Sequence, residues 1–111
     1  NNDLLCRMPL SFTQAALGAK VEVPTLDGRA ELTIPAGTQH GQMFRLSGKG
    51  LPDLRNARRG DEMVQVLVEI PQRLNKEQQN LLREFAKTED QSVLAESKGF
   101  FDRVVEYLSG N

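Results

Sequence analysis

The chain has 111 residues, a formal net charge of −1 and 39% hydrophobic residues, which suits one domain with a modest core, with or without one appendage. So even a balance gives no bulk electrostatic pull toward nucleic acid or an anionic membrane, and no apolar run approaches the roughly 20 residues a membrane helix requires. Cys6 stands alone, so it makes neither an internal disulfide nor a metal site by itself, and a reducing, cytoplasmic setting fits that count.

The chain begins at Asn1 with no basic-then-apolar leader and enters a strand-like run almost at once, as expected of a piece of a longer protein. Leu4, Cys6, Met8 and Leu10 alternate with Leu5, Arg7 and Pro9, the period of a half-buried strand. Ser11 followed by Gln14 is a capping box, and Gly18 suits the residue after a helix, so a two-turn helix is expected between them. Val21 and Val23 mark a short strand. Asp27-Gly28 predicts a type I′ hairpin turn into a further strand through Ala30, Leu32 and Ile34.

From Ile34 to Pro52, four glycines (Gly37, Gly41, Gly48 and Gly50) bracket one apolar run, Met43 to Leu46. This reads as turn, strand, turn, because glycine accepts positive φ at the corners. Leu51 to Gly60 carries Arg55, Arg58 and Arg59 with little to bury, and predicts an exposed, mobile loop. Met63 to Ile70 places Val64, Val66, Val68 and Ile70 on one strand face. Asn75 with Gln78 is a second capping box, opening a helix with a stripe of Leu74, Gln78, Leu81, Leu82 and Phe85. Thr88 to Ala95 reads as a linker, and Ser97 to Leu108 as a final helix. The expected fold is mainly β: a small antiparallel β-sandwich with a short inserted helix over residues 1–73, then two C-terminal helices over 74–111.

No constellation of residues points to an enzyme. His40 sits in a glycine-rich turn and is expected to be solvated. Cys6 lies on an apolar strand face and reads as a core or groove residue rather than a reactive thiol. Gly41 to Gly50 departs from a phosphate loop in spacing, in having Gly50 where the hydroxyl belongs, and in lacking the following helix. Asp61 and Glu62 read as a solvated strand edge, since neighbours on a strand point to opposite faces. Arg55, Arg58 and Arg59, with Lys49, could contact an anion or RNA, but no aromatic residues are interleaved for base stacking, so no nucleic-acid partner is expected. The last helix is too apolar to stand in water and needs a partner surface for Phe100, Phe101, Val104, Val105, Tyr107 and Leu108.

Several motifs together resemble one family. Pro24-Thr-Leu-Asp-Gly28, Leu32-Thr-Ile-Pro-Ala-Gly-Thr-Gln39 and Gly41-Gln-Met-Phe-Arg-Leu-Ser-Gly-Lys-Gly-Leu-Pro52 are similar to the second C-terminal β-domain of the DnaJ-type heat-shock co-chaperones. Gly60-Asp61, the valine strand, Pro71, Leu74 to Phe85 and the Ser97-Lys-Gly-Phe-Phe-Asp-Arg-Val-Val105 ending continue the likeness. It implies a co-chaperone module that binds unfolded polypeptide clients and forms a homodimer through its C-terminal helix. A DnaK-type chaperone would be engaged through the longer parent. The parent type holds zinc in Cys-x-x-Cys modules and stimulates its partner through His-Pro-Asp. Neither motif occurs in this chain, so no zinc or other cofactor is expected in it. By position in the domain, Met8, Val21, Val23 and Leu74 are the implied client-groove residues. All four also fit plain core positions, and a purely structural dimerisation module stays open as the second reading.

Overall fold

The computed structural model describes residues 2–55, 58–89 and 103–109. They belong to two compact units, Asn1–Pro71 and Gln72–Asn111. The first unit contains β1 (Leu4–Ser11), α1 (Phe12–Leu17), β2 (Ala19–Thr25), β3 (Gly28–Ile34), β4 (Met43–Leu46) and β5 (Glu62–Glu69). The strands form two sheets, β1-β5-β4 and β2-β3. Both sheets give side chains to one core: Leu10, Val23, Leu32, Ile34, Val64 and Val66 are buried together, with Cys6, Met8, Val21, Phe44, Leu46 and Val68 packed against them. The mainly β fold with its inserted helix is as the sequence implies.

One pairing departs from the antiparallel expectation. β1 runs parallel to β5, with Cys6 opposite Val64 and Met8 opposite Val66. Parallel neighbours need a long crossover, and residues 12–61, including a whole second sheet, supply it. β4 pairs with β5 in the antiparallel sense.

Local chemistry fixes the corners. The Ser11 capping box is complete: its Oγ accepts from the Gln14 N–H at 3.1 Å, and the Gln14 Oε1 accepts from the Ser11 N–H at 3.1 Å. The far end of α1 is capped from a distance, since the Ala15 carbonyl accepts from Gly37 (2.9 Å) and Thr38 (3.0 Å). The β2–β3 hairpin turns on Leu26 and Asp27, with Thr25 opposite Gly28, so Gly28 opens β3 rather than occupying the loop. Thr25 accounts for the shift: its Oγ1 accepts from the Asp27 N–H (3.2 Å) and donates to the Gly28 carbonyl (3.2 Å), closing the turn one residue early.

The loop after β4 is better anchored than the sequence suggests. Gly50 donates to the Gly60 carbonyl (2.9 Å), Gly60 to Leu51 (2.9 Å), and Pro52 bridges to Arg59. The approach is so close that a Cβ on Gly50 would lie 2.5 Å from the Asn2 carbonyl oxygen, which is why glycine stands there.

The second unit contains α2 (Lys76–Thr88), and residues 103–108 are also helical. The Asn75 capping box is complete, with Asn75 Oδ1 accepting from the Gln78 N–H at 2.8 Å. No residue of α2 is buried. The last helix is therefore described in part; Phe100, Phe101 and residues 90–95 of the expected linker lie outside the described residues.

Candidate functional site

β1 and β2 border the same core yet pair in different sheets. Among the described residues each pairs with one strand only, β1 with β5 and β2 with β3, so each has a second edge, and such edges can accept a further strand. Met8 on β1 and Val21 on β2 are half-buried, one side against the core and the other toward solvent. Val23 is enclosed at 0% exposure and offers no surface. The structure thus brings Met8 and Val21 to the border of one core and sets Val23 beneath it. Leu74 lies in the second unit, half-buried.

Of the expected association residues, Val104, Val105, Tyr107 and Leu108 are all exposed, Tyr107 and Leu108 largely so. α2 adds a second apolar surface that sequence reasoning did not single out as an interface. Leu81 is 63% and Phe85 51% exposed on the stripe of a helix with no buried residue. The heptad-like spacing of that stripe was the available signal.

Three polar residues sit differently from their sequence reading. Glu62 is not on a solvated edge. It shares the core face of β5 with Val64 and Val66, is 2% exposed, and its Oε2 has no hydrogen-bond partner among the described residues. Burial pushes its carboxyl above the usual range. Period two, applied from Val64 backwards, would have placed it inside. Cys6 lies half-buried one rung away; burial, and then the charge of Glu62, push its thiol up, which disfavours the thiolate. His40 is exposed but not idle. Beyond Gly41 and Gln42, which still pair with Val66, its Nδ1 accepts the Val68 N–H at 2.9 Å. The ring stands where the next strand carbonyl would be.

The arginines are engaged as well. Arg59 donates from Nε to the Gly50 carbonyl (3.1 Å) and from Nη1 to Asp27 Oδ2 (2.5 Å), and Arg55 pairs with Asp53 at 3.7 Å. Among the described residues no three His, Cys, Asp or Glu side chains are grouped to hold a metal ion, and no helix is long and apolar enough to cross a membrane.

Comparison with known proteins covers both units. Residues 1–71 match the family model described as the DnaJ C terminal domain, and residues 77–105 that of the Chaperone protein DnaJ C-terminal region. The Chaperone protein DnaJ of Rhodospirillum centenum is 55% identical over 105 residues, covering 94% of this chain and 28% of that protein. Its counterpart in Acetivibrio thermocellus is 50% identical over 107 residues, covering 96% and 28%. The one in Protochlamydia amoebophila is 46% identical over 111 residues, covering 99% and 29%. The chain thus spans less than a third of the length of these curated relatives. With a model matched over the whole of the β-unit and about half of all residues identical to each relative, the chain belongs to the DnaJ C-terminal domain family.

Proposed function

We propose that the chain is the client-binding and dimerising end of a DnaJ-type co-chaperone, without enzymatic activity of its own. The observation that carries the client reading is the pair of edge strands, β1 and β2, each bordering the one apolar core, with Met8 half-buried on the first and Val21 half-buried on the second. An unfolded segment could add its backbone to such an edge while its apolar side chains rest on Met8 and Val21, with Val23 as the floor. Leu74, carried by the second unit, is a separate client-contact candidate of this reading. Residues 74–111 form the dimerisation region, joining copies through Val104, Val105, Tyr107 and Leu108, and on sequence grounds Phe100 and Phe101. A DnaK-type chaperone would be met through the longer protein.

The full burial of Val23 favours the second reading, in which this region only dimerises. NMR titration of the chain with an unfolded apolar polypeptide separates the two. Client binding moves the Met8 methyl and the Val21 amide; a titration that leaves both unmoved leaves dimerisation alone.

A further inference from the structure

The loop between β3 and β4 is fastened at three places. Near its start, Gly37 and Thr38 donate to the Ala15 carbonyl of α1 (2.9 and 3.0 Å). Near its end, Gly41 donates to the Val66 carbonyl (2.7 Å), and the Gln42 carbonyl accepts from the Val66 N–H (2.9 Å). Between them stands His40, whose Nδ1 accepts from the Val68 N–H at 2.9 Å. The first two fastenings are backbone bonds, and backbone amides do not titrate in the neutral range. The third depends on a proton. A backbone N–H can only donate, so Nδ1 must be bare, and the ring must be neutral with its hydrogen on Nε2.

We propose that His40 is a proton-operated fastener: neutral, it closes the last rung on the β4 side of β5; protonated, it releases the Val68 N–H. A proton taken from water onto Nδ1 would set two N–H groups against each other, and the exposed ring is free to turn outward. The rung it holds matters to the fold. Val68 packs against the core and lies opposite Leu10 in the parallel register, one position before the pairing of Glu69 with Ser11. Ser11 carries the capping box at the junction of β1 and α1. The charges around the ring are few. The loop from Pro35 to Gln42 has no other titratable side chain, and neither has α1. By register the neighbouring charges are Glu69 on β5, one position past Val68, and Lys20 on β2, opposite Thr33. Among the described residues His40 forms no ion pair. Glu62 stands at the other end of β5. It loses its proton as pH rises, whereas the His40 bond is lost as pH falls, so the two responses separate.

The test is an NMR series on the whole chain from about pH 8 to pH 5, the range in which histidine changes charge. Amide exchange is corrected for its intrinsic pH dependence, and the ring is followed by its own carbon signals. Val68 is expected to lose about fivefold in protection in step with protonation of the ring, while Gly41 and Val66 keep theirs. His40→Asn places an amide oxygen near the position of Nδ1 and does not titrate; it is expected to hold Val68 protected throughout. His40→Ala is expected to show at pH 8 the weaker protection that the parent chain shows at pH 5. Val68 protection that ignores the ring's titration overturns the proposal. An equal loss at Gly41 and Val66, or the parent's pH dependence persisting in His40→Asn, also overturns it, since acid would then loosen the loop without His40.

Discussion

Glu62 is buried on the core face of β5, opposite Leu4 of β1 and Leu46 of β4, and its Oε2 meets no donor among the described residues. A buried polar atom without a partner costs about 1–3 kcal/mol, and burial favours the neutral acid. The native state therefore holds this proton at a pH where the unfolded chain has released it. The sign follows from linkage: with the folded value raised above the ordinary 4.5, stability is greatest below that value. It falls as pH rises through the window up to the folded value, and is level above it. Glu62→Met, similar in volume and unbranched, is expected to raise stability at pH 7 by about 1–3 kcal/mol and to remove this slope. Urea unfolding across a pH series checks both; a variant less stable than the parent at pH 7 contradicts the account. His40 makes a smaller contribution. His40→Ala leaves the Val68 N–H without its acceptor and is expected to cost about 1 kcal/mol, with faster exchange of that one amide.

Among the elements, α1 sets the course of both candidate edges, because it carries the chain from β1 to β2 within six residues. Its Ser11 box and the long-range caps on Ala15 hold so short a helix in place. Ser11→Ala is expected to cost about 1 kcal/mol in thermal or urea unfolding. Both capping boxes were legible in the sequence because every partner lies within three residues. The core face of β5 was equally legible from the spacing of its valines. What the sequence did not reveal depends on distant parts of the chain. The parallel register of β1 on β5, the His40 ring serving Val68, and the Arg59 reach to Asp27 span 58, 28 and 32 positions, and no local period encodes them. Even the hairpin turn moved by one residue, through the Thr25 hydroxyl. The candidate groove residues were legible as apolar positions; that Val23 is fully enclosed while Met8 and Val21 are only half-buried required the packing.

At the scale of the whole molecule, the two units differ in what stabilises them. Asn1–Pro71 has a two-sheet core of its own, whereas Gln72–Asn111 shows no buried residue in α2 and an exposed apolar row at residues 104–108. A helix of 13 residues is marginal in water by itself, and an apolar stripe of this kind is stabilised when a second copy covers it. Self-association is thus expected to depend on the helical unit and not on the β-unit, and two pairs of substitutions decide which helix supplies the interface. Leu81→Asp with Phe85→Asp places charge on α2; Val105→Asp with Leu108→Asp places it on the terminal segment. None of these side chains is buried, so the β-unit is expected to keep its Val64 and Val66 amide signals in either variant. Light scattering then reports the mass. The parent chain is expected to scatter as a dimer, and the pair that lies in the interface to scatter at half that mass. If only the α2 pair dissociates the dimer, the stripe of Leu81 and Phe85 is the contact and the terminal segment is an accessory. A parent chain that is monomeric throughout the accessible concentration range removes the dimer reading, and leaves both stripes as surfaces for some other chain.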